Sequence, residues 1–267
     1  ILIENVDTEA LAREVAAFAH QLPRCPILVT GRYRGIGDNG RWHSVPLRPF
    51  AHGEAFDQLK QELREEAFPI FAGLSDEHSM AEIMGKIANI LEQRGETDEA
   101  LRVLREKVLP GFARLDDAYA TAVTMGRIAD ILTQRGEIDE ALRIRREEEL
   151  PVYAHLSDMH SMAMTLGQIA DILAQRGETD EALRVLREEV LPAFVRLDDA
   201  NATAVTMGKI ADILQQCGEL DEVLRIRREE QLPVFARLGN ERATAVTMGK
   251  IADILYWRGE YDEALRI

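Results

Sequence analysis

TMGRIADIL, at Thr124–Leu132, returns as TMGKIADIL at Thr206–Leu214 and again, letter for letter, at Thr247–Leu255. Met125, Ile128, Ala129 and Leu132 fall at i, i+3, i+4 and i+7, the stripe of a helix that buries one face. Each copy also holds a glycine, Gly126, Gly208 or Gly249, where a helix interior loses about 1 kcal/mol relative to alanine. A costly residue that recurs asks for a reason in packing or in a ligand.

Outward from this stretch the register continues. Gly85, Gly126, Gly167, Gly208 and Gly249 are spaced by 41 residues, and so are Gly95, Gly136, Gly177, Gly218 and Gly259. Pro69, Pro110, Pro151, Pro192 and Pro233 keep the same interval. Three sets of structure-breaking residues in one register define a repeat architecture. A longer period lies over it: RLDDAYATAVTMG at Arg114 returns as RLDDANATAVTMG at Arg196, 82 residues on. SDEHSMA at Ser75 and SDMHSMA at Ser157 do the same, and Leu104 and Leu186 alternate with Arg145 and Arg227 at one equivalent position. A two-repeat unit has been copied, so part of the likeness records duplication rather than a binding requirement.

Each unit reads as two helices. QRGE ends the first, with Gly136 suited to a left-handed helix terminus. IDEALRI opens the second with acidic residues in the first turn, where the helix dipole favours them. The second helix carries Ala141, Leu142 and Ile144, then Leu150, Tyr153 and Leu156. The joints LDD, LSD and LGN supply capping side chains for the next helix. Pro151 and its equivalents sit inside the second helix, where proline removes a hydrogen bond and crowds the preceding turn. The helical phase of Leu150, Tyr153 and Leu156 predicts a kink there rather than a break.

The pattern resembles the tetratricopeptide repeat family in its longer variant of about forty residues. The matching residues are the small Ala129 in the first helix, the turn Gly136, and DEAL at Asp139–Leu142, over roughly Gly53 to Ile267. Met125, Met207 and Met248 stand where the family has a large aromatic, which softens the packing between helices. The resemblance implies a mainly α fold, a right-handed solenoid of antiparallel helix pairs whose inner groove binds a peptide or a partner protein.

Residues 1–52 differ in composition and period. ILIENV and PILVTGR read as short buried strands around an amphipathic helix, TEALAREVAAFAHQL, and WHSVPLRPF as a third strand. Strand, helix and strand at this spacing predict a small parallel α/β segment ahead of the solenoid at 53–267, whose last repeat is truncated. The order resembles the distal half of the nucleotide-binding core of STAND signal-transduction ATPases of the NB-ARC and NACHT types. That resemblance places Glu4 and Asn5, with Asp7 nearby, at the strand end that manages Mg²⁺ and water, and Thr30 and Arg32 at a sensor position. Glutamate replaces the usual aspartate at position 4, and no G-x-x-x-x-G-K-[ST] phosphate loop occurs in the chain. Phosphoryl transfer needs phosphates and metal positioned together. The chain as given is therefore expected to be no enzyme and to hold no cofactor, with ATP or ADP and Mg²⁺ belonging to a longer parent.

Bulk properties narrow the classes further. With 46% hydrophobic and 30% charged residues the composition is that of an ordinary globular chain. A formal net charge of −15 opposes non-specific attraction to nucleic acid or an anionic membrane. Cys25 and Cys217 lie far apart and form no metal or disulfide framework, which points to a reducing cytoplasm. The opening on ILIENVD and the close on GEYDEALRI in mid-repeat read as an excerpt of a longer polypeptide.

Among side chains, His155 and His160 have no partner at metal-binding spacing and read as surface residues. RIRREEE at Arg143 mixes both signs along a helix and reads as a solvated face laced with pairs. The remaining candidate is the face that carries the glycines, beside the apolar stripe. Asp130, Asp171, Asp212 and Asp253 form a column of carboxylates, one per repeat, with Asn89 at the first. Arg127, Lys209 and Lys250 run alongside, Lys86 likewise, and Gln168 breaks the series. With Gly126, Gly167, Gly208 and Gly249 they are the expected groove residues. Two readings stay open: a self-satisfied ladder of ion pairs, or a groove that recognises a basic or amide-rich peptide.

The function expected is a non-catalytic protein-interaction module or scaffold, the sensor arm of a STAND-type ATPase. The alternatives are a nucleotide-binding regulatory ATPase whose phosphate loop lies upstream, and self-association through solenoid ends.

Overall fold

The computed structural model describes residues 76–267, together with the strand residues Leu2–Ile3 and Leu28–Val29. The chain divides into two compact units, Ile1–Leu59 and Lys60–Ile267. In the first, β1 (Leu2–Ile3) and β2 (Leu28–Val29) pair in parallel, Leu2 opposite Leu28 and Ile3 opposite Val29. These are the apolar runs that the sequence marks as strands. The helix expected between them, the third strand, and Glu4, Asn5, Asp7, Thr30 and Arg32 lie outside the described residues.

The second unit is built from helix pairs. The first helices are α1 (Glu77–Gln93), α3 (Ala118–Gln134), α5 (Met159–Gln175), α7 (Ala200–Gln216) and α9 (Glu241–Trp257), each of 17 residues. Their starts are fixed by side chains: Asp76, Asp117, Asp158, Asp199 and Asn240 each accept the N–H three residues on. Their ends are fixed by glycine. Gly136 has φ +79°, a left-handed conformation free of steric cost in glycine, and lets the Glu137 N–H reach back to the Leu132 carbonyl at 2.9 Å.

The second helices run through three segments each. For α2 these are Thr97–Val103, Leu104–Val108 and Leu109–Arg114. For α4 they are Ile138–Arg143, Ile144–Glu149 and Leu150–His155, and for α6 Thr179–Arg184, Val185–Val190 and Leu191–Arg196. For α8 they are Leu220–Arg225, Ile226–Gln231 and Leu232–Arg237, and the short α10 (Tyr261–Ala264) begins the fifth. The middle segment is π-helical in every case. The Leu150 N–H bonds to the Arg145 carbonyl five residues back, just ahead of Pro151.

This wide turn is how the chain carries proline inside a helix. A proline ring presses on the carbonyl four residues earlier in an α-helix; a turn one residue wider shifts that carbonyl aside. The α-helix then restarts with proline in its first turn, where no N–H is needed. The helix therefore continues past proline, as its apolar phase predicts, by widening. Leu142, Arg145, Glu149 and Tyr153 face inward, whereas Leu150 is half-buried and Leu156, at the helix end, is exposed.

One apolar core runs through the stacked pairs, from Ala81 to Leu255. The helices α3, α5 and α7 repeat the same contribution; in α3 it is Ile128, Ala129, Ile131 and Leu132. Ala129, Ala170 and Ala211 are fully buried, small enough for the second helix to approach closely. Met84, Met125 and Met207 pack at its margin. No helix among the described residues is long and apolar enough to cross a membrane.

Candidate functional site

On α3 the exposed positions are Tyr119, Val123, Asp130 and Gln134, with Arg127 half-buried among them. At 3.6 residues per turn these five fall within a sector of about 80°. The rest of the helix is turned into the molecule, with Ala122, Thr124, Gly126, Ile128, Ala129, Ile131 and Leu132 buried. Repetition converts that sector into rows running from pair to pair: apolar residues, cations, carboxylates and amides.

Arg127, Lys209 and Lys250 each reach back to the carboxylate row of the preceding pair, or to the asparagine that stands in it, while Lys86 and Asp253 at the two ends have no partner among the described residues. Arg127 on α3 donates to Asn89 Oδ1 and, at 3.4 Å, to the Gly85 carbonyl on α1. Lys209 on α7 donates to Asp171 Oδ2 at 2.6 Å and to the Gly167 carbonyl at 3.5 Å on α5. Lys250 on α9 donates to both Asp212 oxygens at 2.8 Å. Burial holds the Arg127 guanidinium below its ordinary range and pushes the Asp130 carboxyl above its own, against the pull of Arg145. Asp253 and Gly249, on the last first-helix, are exposed.

A second set of charges lies beneath this ladder, and it corrects the reading of RIRREEE as a solvated face. Arg145 is 1% exposed and Glu149 is 4% exposed, although both belong to that run. They are in phase with Leu142 and Tyr153, so the helix turns them inward. The guanidinium donates from Nη1 to Glu149 Oε2 at 2.8 Å and to Gln168 Oε1 at 2.7 Å, and from Nη2 to Asp130. Thr165 on α5 donates to the other Glu149 oxygen at 3.0 Å. Burial pushes the Glu149 carboxyl up, while Arg145 and Thr165 draw it down. The solvated reading holds for the neighbour Arg143, which is exposed and pairs with Glu140 at 2.8 Å and Glu148 at 2.7 Å.

In the copy 82 residues on, Arg227 is equally buried and donates to Asp212 at 2.5 Å, but the partner along its helix is the neutral Gln231, at 3.4 Å. Gln231 in turn donates to the Ala204 carbonyl at 3.2 Å. The Nε of each arginine is buried with no partner among the described residues.

These side chains account for the glycines. Gly126 and Gly208 are not open groove positions; they are buried under the second helix of their own pair. A Cβ on Gly126 would stand 2.7 Å from Glu149 Oε1, and one on Gly208 would overlap the Gln231 amide nitrogen. At Gly85 and Gly167 the second helix brings no such group: a Cβ would meet only Arg127 Nη1 at 3.5 Å in the first case, and Lys209 Nζ at 3.7 Å with Val190 Cγ1 at 3.8 Å in the second, all ordinary contact. The same glycine is thus demanded in two pairs and only inherited in two others. Gln168 also finds its reason. A lysine there would reach for Asp130, which Arg145 already holds, and the amide accepts from that arginine.

One feature of the strip is absent from the sequence-based expectation: the apolar row of Val123, Met164, Val205 and Val246. These side chains are 38%, 47%, 43% and 53% exposed, outside the buried stripe in four consecutive pairs. Their 41-residue interval was the signal available for finding them. His155 is exposed, and His160 lies on the surface 3.6 Å from Asp199; the described residues hold no cluster suited to a metal ion.

Comparison with known proteins gives this architecture a relation. A family model described as tetratricopeptide repeat matches residues 244–267, and a second of the same description matches 88–106 and 165–188. No curated protein matches the chain. BtubC (BKLC) from P. vanneervenii is similar in structure, with TM-score 0.66 and 16% identity over 81% of this chain and 88% of that one. A STAND protein with a tetratricopeptide repeat sensor from Pyrococcus horikoshii gives 0.63 and 15%, over 96% of this chain and 34% of that one. A Podosopora anserina putative kinesin light chain with nearly identical TPR-like repeats gives 0.55 and 18%, over 68% and 89%. At these identities the likeness is one of fold, a helical solenoid in which the tetratricopeptide repeat models match residues 88–106, 165–188 and 244–267.

Proposed function

We propose that this tetratricopeptide-repeat solenoid is a non-catalytic protein-interaction module that receives a peptide or protein segment along the exposed strip of α1, α3, α5, α7 and α9. The observation that carries the reading is the strip itself. Four rows of side chains keep one register through successive pairs, and the apolar row stays outside the core. Repeat arrays commonly bind through such continuous surfaces. The buried arginine networks hold neighbouring helices in fixed relation, so the rows meet a ligand already ordered and little entropy is lost on binding.

We further propose that the module is the sensor arm of a STAND-type signal-transduction ATPase. The similarity to the Pyrococcus horikoshii protein supports this, since it extends over more of the chain than the repeats alone occupy. In that setting ATP or ADP and Mg²⁺ would be held upstream, and ligand capture would bias a nucleotide-controlled switch.

The test is site-specific photocross-linking in an extract of the source cells. A benzophenone amino acid at Gln175, on the strip, should yield partner adducts, and one at Arg184, on the second helix, should not. Adducts at Arg184 alone would move the interface to the other side of the solenoid and sink the proposal.

A further inference from the structure

We infer that the α9 end of the strip is a binding site for an arginine side chain, presented by the peptide or protein segment that the strip receives. The site rests on the strip being the docking face and adds a side chain which that face selects.

Its core is aromatic. Of the exposed aromatic residues among the described ones, Tyr119, Tyr256, Trp257 and Tyr261, all but the first gather at the end of α9 and the start of α10. Tyr256 meets the Trp257 ring edge-on at 5.9 Å between centroids and the Tyr261 ring at 5.5 Å. Trp257 is 80% exposed. Its place in the repeat is that of Gln93, Gln134, Gln175 and Gln216, which are exposed as well, so the helical register alone turns the indole outward. An indole in water adds nothing to the core, whereas tryptophan is among the residues that carry most of the energy at binding surfaces.

The charges around the rings set the sign of the occupant. Asp253 precedes Tyr256 by three residues and Trp257 by four, so it lies one turn before both and between them in angle. It is exposed and has no partner among the described residues, and the same holds for Asp262 beside Tyr261. The equivalents of both carboxylates hold cations: Asp171 takes Lys209 and Asp212 takes Lys250, while Asp139 takes Arg176 and Asp221 takes Arg258. The cations nearest in sequence are engaged, Lys250 by Asp212 and Arg258 by Asp221 and Glu260. The face of an aromatic ring is its negative pole, so rings flanked by unpaired carboxylates attract a cation and repel an anion.

Guanidinium suits this site better than ammonium. It is planar and weakly hydrated, so it can lie flat on the Trp257 indole while its edge donates two parallel hydrogen bonds to the Asp253 carboxylate. An ammonium is a compact, strongly hydrated point charge that gives up more on leaving water for an aromatic surface.

The experiment uses the full chain and three fluorescein-labelled dodecapeptides rich in Gly, Ser and Gln. They differ at two positions only, filled by arginine, by lysine, or by citrulline, the uncharged isostere of arginine. Fluorescence anisotropy should give the arginine peptide the tightest binding, at least threefold over lysine and tenfold over citrulline. Trp257→Ala should weaken that binding at least fivefold and Asp253→Asn at least threefold. Glu147→Gln, an equal loss of charge at an exposed position on α4, should change it less than twofold. Circular dichroism melts of the three variants should match the wild type, since each side chain is exposed. Binding of no peptide overturns the inference, as does equal binding of the arginine peptide and either of the others. Binding that Trp257→Ala leaves intact overturns it too. Equal weakening by Asp253→Asn and Glu147→Gln has the same result, because attraction to the negative chain as a whole would then be the entire effect. In each of these cases adducts at Gln175 would still mark the strip as the docking face. Arginine-peptide binding at Trp257 without adducts at Gln175 would instead keep the site and sink the strip, so the two failures are distinguishable.

Discussion

The second pair, α3–α4, and the fourth, α7–α8, are copies 82 residues apart, and each buries an arginine at the same position in opposite electrical surroundings. Around Arg145 one cation faces two carboxylates, Asp130 and Glu149, with the neutral Gln168 completing the set. Around Arg227 two cations, itself and Lys250, share the single carboxylate of Asp212, and Gln231 is neutral. The first and third pairs place Leu104 and Leu186 in the same slot, fully buried. One backbone therefore accepts leucine, an arginine with excess negative charge, or an arginine with excess positive charge. The slot is set by the fold; its chemistry is free to vary.

The sharpest break in that equivalence is Arg145→Leu. It leaves Glu149 buried with only Thr165 to hold it, and should cost about 3–5 kcal/mol in urea denaturation. Adding Glu149→Val, which recreates the leucine–valine combination of the first and third pairs, should recover most of the loss. Arg227→Leu should cost clearly less, because Gln231 carries no charge and Asp212 keeps Lys250. Equal losses at the two arginines would show that their settings are not different in energy.

The glycines come next. Gly126→Ala must push aside a carboxylate anchored by Arg145 and Thr165, and should destabilise by about 1–3 kcal/mol. Gly167→Ala meets nothing nearer than the Lys209 Nζ at 3.7 Å, and should stabilise by up to about 1 kcal/mol. Thermal melts of the two variants in parallel decide it, and equal shifts would refute the division into demanded and inherited glycines.

A pH series sharpens the same contrast. The folded-state Glu149 carboxyl lies above its unfolded value because of burial, so the folded chain binds its proton more readily. The stability it contributes is full at low pH and declines as pH rises from about 4.3 through the raised folded value. The wild type should therefore lose stability relative to Glu149→Gln across that interval, when denaturation is measured at successive pH values. A relative gain with rising pH would mean that the Arg145 pairing outweighs burial.

The smallest effect lies at the joints. Ser157 holds φ +55° where the corresponding joint before α9 has Gly239 at φ +65°. Ser157→Gly should relieve the left-handed strain and raise stability by about 0.5–1 kcal/mol, read from the shift in denaturation midpoint.

Which of these features sequence could reveal follows from how local their causes are. Caps, terminal glycines and the apolar stripe act within a few residues, and Asp117, Gly136 and Ile128 announce them without reference to anything distant. The inward turn of Arg145 depends on partners 15 and 23 residues away, Asp130 and Gln168, and on a phase set across a widened turn; read as part of a charge run, it looked solvated. The purpose of Gly126 was hidden for the same reason, since the atom it accommodates is a carboxylate from the other helix. The cation and aspartate columns were visible as columns, but their pairing runs between successive repeats, 38 residues apart. The apolar row has no local signature, because a lone valine on a polar face carries meaning only through its 41-residue register.

The widened turn before each proline has one more consequence. Its backbone hydrogen bond ends on the carbonyl of the residue in the variable slot, whether that residue is Leu104, Arg145, Leu186 or Arg227. A main-chain atom makes the contact, so exchanging the side chain does not unmake the widened turn. Such an array can lengthen by copying two repeats at a time and afterwards alter the content of a copied layer, with the passage past proline inherited from the peptide backbone and left untouched by the edit.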